Sequence, residues 1–157
     1  MGLFERLSGV RRPVGGGTPA GAAEVRDALL AVGGEPAPYR VRIAGSAEQG
    51  DLVADWRLRH GSPGEEVDLR LTVRLRLDPH RREVRAVQEQ RSSSRGRLSA
   101  SREYGRGAGA AVQWTYERGP DGRRRRVKTL DTREMKDALR AAVLAAGWTW
   151  RPRLTRL

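Results

Sequence analysis

The stretch Val67-Asp68-Leu69-Arg70-Leu71-Thr72-Val73-Arg74-Leu75-Arg76-Leu77 alternates apolar and polar side chains without a break. Successive side chains of a β-strand point to opposite faces of a sheet, so this alternation predicts a strand with one face buried and the other in water. The stretch therefore fixes a β-sheet that has a core on one side.

Similar alternation before and after this strand predicts a sheet of about six strands. The other strand candidates are residues 39–43, 52–59, 83–90, 98–102 (weak and short), 112–117 and 123–130. Turn sequences such as Asp78-Pro79-His80-Arg81 and Gly119-Pro120-Asp121-Gly122 join them, so chain neighbours are expected to pair antiparallel. The polar residues 91–97 are expected to form a loop.

Two segments have the apolar spacing of amphipathic helices. The first covers residues 19–32, with Thr18-Pro19 as its start signal and Gly33-Gly34 as its end. The second follows the capping sequence Asp131-Thr132-Arg133-Glu134 and runs to Gly147. The predicted fold is therefore α+β, an antiparallel β-meander of about six strands packed on one face by an N-terminal and a C-terminal helix.

A sheet curled around the C-terminal helix, similar to the tubby and scramblase architecture, is the alternative shape. A helix enclosed in this way is expected to be apolar all round, and the charged residues of this segment argue against it: Arg133, Lys136, Asp137 and Arg140.

The domain organisation follows from length and composition. At 157 residues the chain fits one ordinary domain. We expect a flexible N-terminal tail over residues 1–17, a single domain over residues 18–150, and a basic C-terminal tail over residues 151–157.

The positive charge is unevenly distributed along the chain. The net charge is +12, and only Lys128 and Lys136 among the 31 cationic residues are lysines. Residues 1–77 carry 11 basic and 10 acidic side chains, whereas residues 78–157 carry 20 basic and 9 acidic ones. Such asymmetry points to an anionic partner for the second half.

Several classes of chemistry are not expected. The chain has no cysteine, which excludes disulfides, thiol nucleophiles and cysteine-ligated metals. Its two histidines, His60 and His80, are isolated beside turns and make a poor metal site. No apolar run is long enough to span a membrane. The sequence predicts a soluble cytoplasmic protein with no metal, no cofactor and no catalytic residue.

The sharpest local feature is a basic hairpin around the turn at residues 119–122. Its cations are candidate ligands for phosphates or other anions: Arg118, Arg123, Arg124, Arg125, Arg126 and Lys128. The alternative is a solvated hairpin whose charges protect a sheet edge from aggregation.

Two tryptophans follow the second helix. Trp148 and Trp150 lie on the same side of a short extended segment. They either line a ligand groove between the last helix and the sheet or anchor that helix to the core.

Several short sequence segments, spread over most of the chain, resemble segments of other proteins. They are Gly2–Leu7, Asp51–Arg57, Arg76–Pro79, Glu83–Val87 and Ala145–Trp150. Together they resemble a group of small actinobacterial proteins of unknown function. The resemblance implies a bacterial cytoplasmic origin and assigns no role to any residue.

Three functions remain open at this point. The first is a non-enzymatic binding or adaptor module for an unidentified protein or small ligand. The second is a protein that binds nucleic acid or an anionic membrane through its basic second half. The third is a small enzyme without metal or thiol chemistry, which the lack of a catalytic constellation disfavours.

Overall fold

The computed structural model describes residues 9–62, 65–95, 99–105, 112–118, 124–154 and 157. In chain order its elements are α1 (Ala22–Val32), β1 (Arg40–Ile43), β2 (Leu52–Ser62), β3 (Glu65–Asp78), β4 (Glu83–Arg95), β5 (Ser99–Gly105), β6 (Val112–Arg118), β7 (Arg124–Asp131), α2 (Thr132–Ala145) and β8 (Thr149–Arg153). The protein therefore belongs to the α+β class with a mostly antiparallel sheet, as the sequence predicts.

The main sheet differs from the predicted meander in which strands it contains and in the direction of its last strand. Strands β1 to β5 follow one another in space and pair antiparallel. Strand β8 pairs parallel to the first part of β4, and β5 pairs with the later part. Strands β6 and β7 form a second, two-stranded sheet. The meander therefore has five strands, because β6 and β7 form a separate sheet. The sixth strand of the main sheet is β8, which follows α2 and pairs parallel to β4.

The register of β2, β3 and β4 places the apolar side chains on one face. Trp56 lies opposite Leu71, and Leu75 lies opposite both Leu52 and Ala86. These residues share one buried cluster with Val25 and Leu29 of α1 and with Met135, Leu139 and Val143 of α2. We call the face of the sheet that contributes to this cluster the inner face.

Each helix buries one side. In α2, Met135, Leu139 and Val143 are buried, whereas Arg133 and Asp137 are exposed. A helix enclosed by a sheet would be buried all round, so α2 does not have the environment that the curled-sheet alternative requires. Gly147, with φ of 77°, ends the turn after α2 in the left-handed region that favours glycine.

The first helix begins later than the sequence predicts. It starts at Ala22 with Gly21 as its N-cap, and the carboxylate of Glu24 accepts a hydrogen bond from the Gly21 N–H at 2.7 Å. Tertiary contacts account for the difference, since Ala20 donates its N–H to the carbonyl of Ala146 and accepts from the Trp148 indole, both at 2.9 Å. Ala20 is thereby held outside the helix.

Two further segments form backbone pairings that the sequence analysis did not predict. Arg11 and Trp150 exchange backbone hydrogen bonds of 2.9 and 2.8 Å, so the segment expected to be a tail is joined to β8 at Arg11. Strand β4 continues to Arg95, although residues 91–97 were expected to form a loop. Its continuation pairs with both β3 and β5, and these ladder hydrogen bonds outweigh the low strand preference of three serines.

Candidate anion-binding face

The candidate site lies on the side of the sheet opposite the inner face. Strand alternation places the polar residues of three neighbouring strands there, and we call this surface the outer face. By register this face includes Val53, Asp55, Arg57 and Arg59 of β2, Asp68, Arg70, Thr72, Arg74 and Arg76 of β3, and Glu83, Arg85, Val87, Glu89 and Arg91 of β4. Arg42 of β1 lies opposite Val53, and Arg151 of β8 lies opposite Arg85, so both belong to the same face.

Four sets of ion pairs on the outer face place a carboxylate between two arginines, and two of these arginines, Arg42 and Arg85, also pair with Glu48 and Asp78. The four sets are Arg42–Asp55–Arg70, Arg57–Asp68–Arg59, Arg85–Glu83–Arg151 and Arg74–Glu89–Arg91, with N···O distances between 2.5 and 3.8 Å. Each carboxylate fixes the position of two guanidinium groups. These sets together carry more positive than negative charge.

The cations are more accessible than the anions they pair with. The side chains of Arg57, Arg70 and Arg91 are 54%, 54% and 56% exposed, whereas their partners Asp68, Asp55 and Glu89 are 30%, 20% and 4% exposed. A partner that approaches the face therefore meets guanidinium groups first.

Three of these arginines form a row across the sheet. Arg57 pairs in register with Arg70, and Arg70 pairs with Arg91. In β5, Arg102 occupies the position opposite Arg91. Like charges placed directly opposite on neighbouring strands are destabilising, and the ion pairs with Asp68, Asp55 and Glu89 oppose this repulsion. We call Arg57, Arg70 and Arg91 the arginine row.

Hydrogen bonds from arginines hold the carboxylates in the charged form. Arg42 donates to Glu48 at 2.6 and 2.7 Å and the Gly45 N–H donates at 2.7 Å, which lowers the pKa of Glu48 to about 2. Hydrogen bonding from Arg57 lowers the pKa of Asp68. Burial raises the pKa of Glu83, but hydrogen bonds from Arg85 and Arg151 outweigh it, and the pKa is lowered.

A depression of about 490 Å³ includes two members of the arginine row, Arg70 and Arg91. Its lining comes from β2, β3 and β4 and from the loop between β1 and β2. The lining residues are Ala47, Glu48, Gln49, Asp55, Arg70, Thr72, Arg74, Glu89 and Arg91. We call this depression the polar cavity, because nearly all of its lining side chains are charged or hydrogen-bonding.

The basic hairpin is only partly described. Arg123 lies outside the described residues, and the side chains of Arg118, Arg124, Arg125, Arg126 and Lys128 do too. The backbone of β6 and β7 places Arg118 opposite Arg124, Glu117 opposite Arg125 and Tyr116 opposite Arg126. The hairpin belongs to the second sheet and not to the main sheet that carries the outer face.

Both candidate tryptophans lie in the core. Trp148 is 1% exposed and Trp150 is 2% exposed, and both belong to the main buried cluster. The Trp148 indole N–H reaches across the chain to the Ala20 carbonyl. Strand β8 places Trp150 opposite Val84. Such contacts are typical of tryptophans that anchor a helix and a strand.

The described part of the chain contains no cluster of metal ligands and no membrane-spanning helix. Within it, no group of three or more histidines, cysteines or carboxylates is arranged to hold a metal ion. In the same residues, no helix is long and apolar enough to cross a membrane.

Comparisons with protein-family models, with characterised proteins and with solved structures find no match to this chain. The resemblance to small actinobacterial proteins stays a prediction.

The densest group of cations in the sequence is the basic hairpin, but the sequence also carries a signal for the outer face. The alternation from Asp68 to Arg76 already assigned Arg70 and Arg74 to a solvent-facing side. The alternation does not predict the register between strands. Only the pairing of β3 with β2 and β4 brings Arg57 and Arg91 beside Arg70.

Proposed function

We propose that this protein is a non-enzymatic binding module that holds an anionic partner on the outer face of its sheet. In this account both helices cover the inner face and leave the outer face to the partner. The observation that carries the proposal is the row of accessible arginines held in place by more deeply buried carboxylates.

The carboxylates prepare the arginines for binding. A guanidinium group has five N–H donors in a fixed fork, and a carboxylate partner occupies only some of them. The remaining donors can pair with phosphate or carboxylate oxygens. Arginines already held by Asp68, Asp55 and Glu89 lose less side-chain freedom on binding than unconstrained ones.

The same ion pairs favour binding over catalysis. A general acid or base works best with a pKa near the operating pH, whereas the pKa values of Glu48, Asp68 and Glu83 are all lowered. The polar cavity is also an open depression, while catalytic sites usually exclude water. Its carboxylates therefore serve to position arginines.

The basic hairpin is a second candidate for the anion-binding surface. Its backbone register brings Arg118 opposite Arg124 on neighbouring strands, which concentrates positive charge. If the hairpin binds the anion, substitutions in the hairpin weaken binding; if the outer face binds it, substitutions in the arginine row do. Variants of each surface therefore distinguish the two candidates.

The test is binding to polyanions across a salt series. The purified full chain is titrated with inorganic polyphosphate and with single-stranded DNA at low and rising salt. We expect binding that weakens as salt rises, and a variant with Arg57→Gln, Arg70→Gln and Arg91→Gln is expected to bind more weakly and with a shallower salt dependence.

The matched control changes the same number of charges away from the outer face. Arg26, Arg81 and Arg82 are exposed on α1 and on the turn before β4, and their replacement by Gln removes equal charge. This control is expected to retain most of the affinity. Equal losses in both variants, or no binding to either polyanion at low salt, would refute the proposal.

A further inference from the structure

The polar cavity contains two arginines of the row and adds side chains of other chemistry. Along with Arg70, Arg74 and Arg91, its lining includes the acceptor oxygens of Glu48 and Asp55 and the amide of Gln49. The Thr72 hydroxyl donates to Asp55 at 2.9 Å, and the Gly45 N–H donates to Glu48 at 2.7 Å. The cavity thus presents fixed donors and fixed acceptors within one depression.

This mixture does not suit an anion that offers only acceptor oxygens. Polyphosphate can pair with the arginines, but it has no donors for the acceptor oxygens of Glu48 and Asp55. An unpaired nucleobase carries both donors and acceptors on its edges and could use both kinds of group. Arginine guanidinium planes also stack on bases.

The composition of the outer face disfavours a lipid surface. Val53 and Val87 on this side of the sheet are buried, with 0% and 1% exposure, and offer no apolar surface for membrane insertion.

We propose that the outer face binds single-stranded nucleic acid, with phosphates on Arg57, Arg70 and Arg91 and an unpaired base in the polar cavity. This inference rests on the proposed function and names its partner. Neighbouring strands lie about 4.8 Å apart, so the arginine row spans about 10 Å, which is enough for adjacent phosphates of one strand. The cavity volume of about 490 Å³ lies within the ordinary range for small-ligand pockets.

The first experiment compares a labelled single-stranded oligonucleotide with the duplex of the same sequence, with polyphosphate and with vesicles of anionic phospholipid. A duplex has the higher charge density, so electrostatics alone favours the duplex. We expect the single strand to bind the full chain more tightly than the duplex. Equal or tighter binding of the duplex, the polyphosphate or the vesicles overturns this inference and leaves the anion-binding function intact.

The second experiment separates the phosphate contacts from the base contact. Arg91→Gln is expected to make the slope of log affinity against log salt shallower by about 0.7, the value for one phosphate of a single strand. Gln49→Ala removes no charge and is expected to leave that slope unchanged while it alters the relative affinity for the four homopolymeric oligonucleotides.

The outcomes of these variants are decisive. If Gln49→Ala leaves every homopolymer preference as it was, no base occupies the cavity and the inference fails. If Arg91→Gln leaves the slope unchanged, the arginine row does not contact phosphate. Arg26→Gln is the charge control for the slope. Far-ultraviolet circular dichroism and thermal unfolding of each variant ensure that folded proteins are compared.

Discussion

At the scale of single residues, Glu89 shows how the outer face is built. Its side chain is almost fully buried although it lies on the polar side of the sheet, because Arg74 and Arg91 cover it. A buried carboxylate is stable only when it is paired and hydrogen-bonded. Glu89 therefore holds two arginines at the cavity.

Replacement of Glu89 tests this arrangement. Glu89→Gln leaves the half-buried guanidinium of Arg74 without its charged partner, so the free energy of unfolding is expected to fall by about 1–3 kcal/mol. Urea denaturation measures this change. Glu35→Gln, at an exposed position, is the control and is expected to stay within about 0.5 kcal/mol. Equal effects of the two substitutions would contradict the role given to Glu89.

The lowered pKa values of Glu48, Asp68 and Glu83 predict how stability depends on pH. A carboxylate whose pKa is lower in the folded state stabilises the fold at pH values above its unfolded pKa, near 4. That contribution is lost as pH falls through the folded pKa, which for Glu48 is about 2. We expect the unfolding free energy to fall progressively below about pH 5 as these contributions are lost. Urea denaturation between pH 2 and pH 8 measures this, and unchanged stability down to pH 3 would contradict it.

Residue-level prediction from sequence succeeded where it depended on alternation alone. The solvent-facing assignment of Arg70, Arg74 and Arg76 needed only the period of two. The pairing of Arg74 with Glu89 could not be predicted, because it depends on the register between β3 and β4, which is set by the whole hairpin.

At the scale of elements, the second helix was well predicted and its partner strand was not. The apolar spacing of Met135, Leu139 and Val143 identified α2, and Gly147 marked its end. Strand β8 has only five residues and includes Pro152, so its local pattern was weak. Its parallel pairing with β4 is a long-range contact for which the sequence carries no local signal.

The buried side of α2 predicts a difference between two leucines of the same helix. Leu139 is fully buried, whereas Leu144 is half-buried. Leu139→Ala is expected to lower the unfolding free energy by about 2–5 kcal/mol through loss of burial and the cavity left behind. Leu144→Ala is expected to cost clearly less. Urea denaturation of both variants provides the comparison, and a larger loss for Leu144→Ala would contradict the helix orientation.

At the scale of the whole molecule, the arginines are grouped differently in the fold than they are along the sequence. By sequence, the first half is nearly neutral and the excess charge lies after residue 77. In the fold, Arg57 and Arg70 of the first half join Arg91 of the second half in one row. Counting charges by sequence position therefore directed attention to the hairpin, whereas the sheet gathers arginines from both halves.

The most direct test of the central claim compares the outer face with the basic hairpin. Affinity for a single-stranded oligonucleotide is measured over a salt series for two variants that each lose three arginines. One carries Arg57→Gln, Arg70→Gln and Arg91→Gln, and the other carries Arg124→Gln, Arg125→Gln and Arg126→Gln. We predict that the salt slope becomes shallower by about 2 in the first variant and stays nearly unchanged in the second. A shallower slope in the hairpin variant alone would contradict the account.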